Sequence, residues 1–108
     1  MANQLISVTE RIKLLLEELD SGRAPERARL EHTLTDGYAW ALKLDGECGR
    51  IERRISEVTA TLASGGDPGD AAELPSLSRR LARRRRDLEA LRSLLAMLRA
   101  GRARARVA

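Results

Sequence analysis

Aromatic residues are nearly absent from this chain of 108 residues. Tyrosine and tryptophan occur once each, at Tyr38 and Trp40, and phenylalanine does not occur. A core built from this sequence must therefore be aliphatic, with leucine as its main component. Leucine and alanine favour helices, whereas sheets are enriched in aromatic and β-branched residues. The composition predicts an all-α protein.

Cysteine and long apolar runs are also scarce. Cys48 is the single cysteine, so an internal disulfide is excluded and a reducing compartment is expected. The N-terminus shows no signal-peptide pattern. No apolar run reaches the roughly 18 residues that a membrane-spanning helix needs. We therefore expect a cytoplasmic protein that is not integral to a membrane.

Lysine is rare, because 18 of the 20 basic residues are arginine. The formal net charge of +4 is unevenly distributed. Residues 1–74 hold nine basic and fourteen acidic side chains, whereas residues 75–108 hold eleven arginines and two acids. The two parts can neutralise one another within the fold or across a dimer, or the basic part can attract an anionic partner.

Two loop signals divide the chain, one around Pro25 and one in a glycine-rich stretch at 64–70. The remaining segments predict helices at about 3–20, 25–63 and 75–103, followed by a basic C-terminal end at 99–108. The first helix carries one apolar stripe. The second and third carry apolar seams that alternate steps of four and three, the heptad pattern of coiled coils. Because the seam keeps its phase across Gly46 and Gly49, we expect the second helix to be continuous.

The two seams predict an antiparallel coiled-coil hairpin over residues 25–103. Partner residues would have indices with a constant sum of 139, which pairs Leu62 with Leu77 and Leu44 with Leu95. The first helix would cover the off-seam apolar residues Tyr38, Trp40, Leu42, Ala90, Leu94 and Met97. The predicted fold is therefore a single helical domain, 1–108, with three helices built on one long hairpin.

The clearest chemical feature is an arginine-dense stretch of the third helix. Arg79, Arg83 and Arg86 share one helical face by their spacing of four and three. Guanidinium groups bind phosphate bidentately, so this face could bind nucleic acid or another anionic ligand. The alternative is a solvated surface in which the arginines pair partly with the nearby acids Glu47, Glu52, Glu57 and Glu73.

Arg84 differs from its neighbours because it occupies a seam position, opposite Ile55 in the predicted pairing. Its aliphatic stem could lie along the seam while its charged head reaches solvent, with Glu52 in reach. Alternatively, it could set the register of the two helices, or it could form an ion pair or hydrogen bonds with a residue of a partner chain.

Ser76, Arg79, Arg83 and Asp87 follow one helical face with spacings of three, four and four. This pattern resembles part of the motif with which certain actinobacterial anti-sigma factors of helical-hairpin type bind cyclic di-GMP. The resemblance covers about a dozen residues and implies a nucleotide site on this face. Two positions depart from the motif: Ala72 stands where the family has a glutamate, and Arg83 replaces its glutamine.

No phosphate-binding loop, metal motif or catalytic triad is present in the sequence, so we expect neither an enzyme nor a cofactor. The leading hypothesis is a helical protein–protein interaction or adaptor module with a regulatory role, which forms a homodimer through its heptad seam. The rival hypothesis is binding of nucleic acid or an anionic nucleotide, such as a cyclic dinucleotide. Its candidate residues are Ser76, Arg79, Arg83, Arg84, Arg86 and Asp87.

Overall fold

A computed structural model describes residues 2–107 of the chain, with side chains for 4–105. It contains three helices: α1 (Ala2–Asp20), α2 (Arg27–Ala63) and α3 (Pro68–Val107). The described residues contain no strand. The all-α class and the number of helices are therefore confirmed.

Glycine ends both of the first two helices. Gly22 and Gly65 adopt positive φ angles of 81° and 85°. After each, a backbone N–H reaches back five residues, from Arg23 to Glu18 and from Gly66 to Thr61. This is the Schellman arrangement, which satisfies carbonyl groups that the helix end leaves without partners. The loops predicted near residues 22 and 65 therefore have a local cause in the sequence.

The predicted start of α3 was wrong by seven residues, since the helix begins at Pro68 rather than at 75. The carboxylate of Asp67 accepts a hydrogen bond from the Gly69 N–H at 3.0 Å. Asp67 thus caps the helix, proline occupies the first helical position, and Asp70 lies in the first turn. Residues 68–70, which were predicted to belong to the loop, therefore form the start of α3. The loop comprises only residues 64–67.

α2 is continuous, as predicted, and passes through Gly46 and Gly49. It begins at Arg27, two residues later than predicted, and the carbonyl of Glu26 accepts its first hydrogen bond, from Leu30. α3 contains Pro75 and extends to Val107, beyond the predicted end at 103.

The chain divides into two compact units. The first unit comprises Met1–Leu42 with Glu89–Ala108, and the second comprises Lys43–Leu88. Both boundaries fall inside a helix, so α2 and α3 each contribute residues to both units.

In the first unit, the centre of the apolar stripe of α1 is covered: Val8, Ile12 and Leu15 are at most 3% exposed, whereas Leu5 and Leu19 at its ends are half-buried. A Cβ atom on Gly37 would lie 2.5 Å from Cδ2 of Leu95 and 3.6 Å from Cδ1 of Ile12. The absence of a side chain at this position therefore permits close packing of all three helices.

The coverage predicted for α1 was partly wrong. Trp40 and Leu94 are half-buried, but Tyr38, Leu42, Ala90 and Met97 are exposed. α1 packs against the side of α2 that carries Asp36, which pairs with Arg11 at 3.0 Å. At about 100° per residue, Tyr38 and Leu42 lie about 200° and 240° around α2 from Asp36, and hence on its opposite side.

In the second unit, α2 and α3 pack antiparallel around a small core. Its buried members are Cys48, Ile51, Val58, Leu77 and Leu81, with Ile55, Leu62 and Leu74 partly buried beside them. One seam between only two helices leaves these last three side chains incompletely covered.

The predicted register differs from the structure by one heptad. In the second unit the ion pairs Arg54–Glu73, Glu47–Arg84 and Glu52–Arg85 have indices that add up to 127, 131 and 137, which centre near 132 instead of 139. In the first unit Gly37 adjoins Leu95, a pair that adds up to 132. α3 begins seven residues earlier than predicted. Each seam residue of α2 is therefore paired with a residue of α3 about seven positions earlier in the chain than predicted.

Candidate functional site on the second unit

All six predicted site residues lie on α3 within the second unit. Four of them are exposed, namely Ser76, Arg79, Arg83 and Arg86. The other two, Arg84 and Asp87, are half-buried. The six residues therefore fall into two sets. Arg84 and Asp87 form an ion pair, and the other four side chains are exposed.

Arg84 lies on the seam between two buried leucines, Leu81 and Leu88. Its Nε is 2.9 Å from a carboxylate oxygen of Glu47, and its Nη1 is 3.5 Å from Asp87. The side chain remains 40% exposed, so the guanidinium reaches the edge of the seam. Arg84 is therefore a seam residue that forms an ion pair between the two helices.

The expected contact between Arg84 and Glu52 was wrong. Glu52 pairs instead with Arg85, at 2.8 Å. The shift in register by one heptad explains why Arg84 has a different partner, because it places Glu47 of α2 beside Arg84 of α3. The sequence analysis named Glu47 among the acids near the arginine stretch but did not assign it to Arg84.

A two-point ion pair joins the helices nearer the loop. Arg54 donates from Nε and Nη2 to the two carboxylate oxygens of Glu73, at 3.1 and 2.8 Å. These hydrogen bonds lower the pKa of Glu73 and raise that of Arg54. Both groups are therefore charged throughout the physiological pH range.

The predicted partial pairing of the arginine-dense stretch is found, because Glu47 and Glu52 pair with two of its members, whereas Glu57 and Glu73 pair with an arginine of α2. The partners of these four acids are Arg54, Arg84 and Arg85. Among the described residues, no carboxylate forms an ion pair with Arg79, Arg83 or Arg86. We call these three residues the arginine stripe.

The arginine stripe occupies one face of α3 over about 10 Å, given a rise of 1.5 Å per residue. Its guanidinium groups are exposed and can each offer two parallel donors to a phosphate or carboxylate. Ser76 lies on the same face. Asp87, the fourth residue of the cyclic di-GMP pattern, already pairs with Arg84.

The other reactive side chains of the chain lie outside this surface. Cys48 is 4% exposed in the core of the second unit, and burial raises the pKa of its thiol. His32 is exposed on α2. Within the part of the chain that the structure describes, no group of three His, Cys, Asp or Glu side chains could hold a metal ion.

None of the described helices is both long and apolar enough to cross a membrane. Comparison with protein-family models, with curated proteins and with solved structures gives no match. The function therefore has to be inferred from the residues and their geometry.

Proposed function

We propose that this chain is a non-enzymatic helical interaction module that associates with a second copy of itself through one face of α2. The observation that carries this proposal is a strip of exposed, uncharged residues in the first unit: Thr35, Tyr38, Ala39 and Leu42. Leu42 is 74% exposed and Tyr38 is 42% exposed. None of the four is charged, although 33% of all residues are. We call them the uncharged strip.

The position of the uncharged strip suits contact with another helix. Its members are separated by steps of three, one and three residues, which places them on one side of α2. Tyr38 and Leu42 lie opposite the side on which Arg11 of α1 pairs with Asp36, so α1 leaves these two side chains accessible, whereas Ala39 lies at the edge of the strip that borders α1. A twofold dimer would use the same strip twice. Full burial of one leucine contributes about 1.5–3 kcal/mol.

Analytical ultracentrifugation over the micromolar range tests the dimer. We expect the unmodified chain to dimerise and Leu42→Glu to be monomeric, because the new carboxylates would face one another in the contact. Ala60→Glu is the matched control, since Ala60 is an exposed alanine of α2 in the second unit. A monomer at several hundred micromolar, or a dimer that survives Leu42→Glu, would contradict the proposal.

A second candidate function is binding of an anionic partner, such as nucleic acid or an anionic nucleotide, through the arginine stripe. The observation that favours it is that the neighbouring acids are engaged by other arginines, so the charge of the stripe is not neutralised by its own helices. Affinity for a nucleic acid should fall steeply with salt, because each neutralised phosphate releases counterions.

The triple variant Arg79→Gln, Arg83→Gln, Arg86→Gln tests this second candidate against RNA and duplex DNA by fluorescence anisotropy. The slope of log affinity against log salt should decrease by about 3 units for duplex DNA if each arginine neutralises one phosphate. The control variant Lys13→Gln, Lys43→Gln, Arg99→Gln loses the same amount of charge at exposed positions outside the stripe and should retain the slope. Absence of binding at about 50 mM salt, or equal losses in both variants, would eliminate this candidate.

A further inference from the structure

Two adjoining cavities lie in the first unit, between the loop that joins α1 to α2 and the last turns of α3. Their volumes are about 380 and 410 Å³. They share three lining residues, Leu19, Ala24 and Ala105. Ligand-binding cavities of proteins commonly begin at about 300 Å³, so each of the two is large enough for a small organic molecule.

The lining combines an apolar floor with charge of a single sign. Besides the shared residues, Pro25 and the buried Leu30 contribute apolar surface. Every charged residue that lines the cavities is an arginine: Arg27 and Arg102 in one, and Arg23 and Arg104 in the other. No carboxylate lines either cavity.

Nearby acids do not neutralise this charge. Arg23, Arg102 and Arg104 form no ion pair with any carboxylate among the described residues. Arg27 pairs with Glu31 at 3.1 Å, but its side chain is 82% exposed, which makes the pair weak. Glu18 is engaged by Arg29 at 2.8 Å.

We infer that these cavities bind a small amphiphilic organic phosphate, with the phosphate on the arginines and an aliphatic group on the apolar floor. Four guanidinium groups suit a doubly charged phosphate, which arginine binds bidentately. The lining contains leucine, alanine and proline but no aromatic side chain, which favours an aliphatic group over a nucleobase.

Isothermal titration calorimetry of the full chain tests the inference with three probes. These are octyl phosphate below its micellar concentration, inorganic phosphate, and octyl glucoside, which has the same tail without charge. We expect binding of octyl phosphate and affinities at least tenfold lower for the other two. If octyl phosphate does not bind, or if octyl glucoside or inorganic phosphate binds equally well, the inference is overturned.

Two pairs of variants locate the binding. Arg102→Gln should weaken octyl phosphate binding about tenfold, the cost of one charged hydrogen bond, whereas Arg53→Gln in the second unit should leave it unchanged. Ala105→Leu should block the shared space, whereas Ala103→Leu, at another exposed position of α3, should not. Circular dichroism confirms that each variant is folded. Equal effects within either pair would overturn the proposed location.

The source of the phosphate and the link to dimer formation can be tested separately. Binding to vesicles that contain phosphatidic acid, without binding of free octyl phosphate, would overturn the small-molecule assignment in favour of a bilayer. The Leu42→Glu variant should bind octyl phosphate like the unmodified chain, because Leu42 does not line either cavity. Loss of octyl phosphate binding in that variant, with its fold intact, would overturn the proposed location.

Discussion

The guanidinium of Arg54 on α2 is bound to both carboxylate oxygens of Glu73 on α3. Glu73 lies in the segment 68–74, which the sequence pattern predicted to be outside the helix. In the structure this segment is helical, because α3 begins at Pro68. This pair therefore involves a residue from the first turns of α3 and is one of the contacts that define the register of the second unit.

The register predicts which engineered cysteines can form a disulfide. In a Cys48→Ser background, Ile55→Cys should cross-link with Leu77→Cys, because their indices add up to 132, the value near which the three ion-pair sums of the second unit centre and the sum of the Gly37–Leu95 pair. Ile55→Cys should not cross-link with Arg84→Cys, the partner expected from the sequence pattern. Mass spectrometry after mild oxidation measures both outcomes. A cross-link only in the second pair would support the sequence-based register instead.

Two glycines of α2 should respond oppositely to alanine. At Gly37, the new Cβ would lie 2.5 Å from Cδ2 of Leu95, which is 3% exposed and cannot move freely. Overpacking of this kind costs about 1–3 kcal/mol, which should exceed the helix-propensity gain of about 1 kcal/mol. We therefore expect Gly37→Ala to lower the free energy of unfolding in urea denaturation.

Gly46→Ala is the matched variant in the same helix. Gly46 is exposed, and the closest atom to a new Cβ would be the flexible end of Arg50 at 3.6 Å. The free energy of unfolding should therefore rise by about 0.5–1 kcal/mol, the cost of glycine inside a helix. Stabilisation by Gly37→Ala to the same extent would show that the helices are not closely packed at that position.

Replacing Arg84 with leucine should complete the apolar seam of the second unit. The change removes one partner of Glu47, but Glu47 is 24% exposed and retains access to water. We expect the free energy of unfolding to stay within about 1 kcal/mol or to rise, as for many ion pairs replaced by apolar residues. A loss above about 3 kcal/mol in urea denaturation would instead indicate that Glu47 is left as a buried, uncompensated charge.

Arg84→Leu should also change association. A polar residue at a seam position restricts register and oligomeric state, so its removal should broaden the distribution of species in sedimentation velocity. Arg83→Leu, at the adjacent exposed position, controls for the added leucine side chain. The same distribution for both variants would exclude a register-setting role of Arg84.

The pKa of Glu73 should depend on Arg54. Hydrogen bonds from Arg54 hold this pKa below its ordinary value of 4.5. Their contribution to stability is therefore complete above pH 4.5 and is lost as the pH falls through the lowered pKa of the folded state. In an NMR titration, Arg54→Gln should raise the pKa of Glu73, whereas Arg53→Gln, which removes an arginine without an ion pair among the described residues, should not.

Cys48 should be chemically protected in the folded chain. Burial raises the pKa of its thiol, and only the thiolate reacts rapidly with disulfide reagents. We expect slow labelling by a disulfide reagent at pH 8 and fast labelling in denaturant. A Cys48→Ser, Ser56→Cys variant moves the thiol to an exposed position of α2 and should be labelled rapidly without denaturant. Equally fast labelling at both positions would mean that the second unit opens readily.

Local patterns accounted for the confirmed part of the fold. The period of the apolar residues predicted three helices, and the phase of the seam predicted that α2 continues through Gly46 and Gly49. The start of α3 was missed because Asp67 and Pro68 occur both in turns and at helix caps. As a result, the predicted register was wrong by about one heptad in both units.

The sequence by itself determined that this chain forms helices and which side chains of α2 and α3 face inward, because helical period and seam phase are local properties. Only the tertiary structure decided that Glu47 pairs with Arg84, that the arginine stripe has no ion-pair partner among the described residues, and that Leu42 stays exposed. These outcomes depend on register and on the side against which α1 packs. Both are set by contacts between residues far apart in the chain, and no periodic pattern within one helix encodes them.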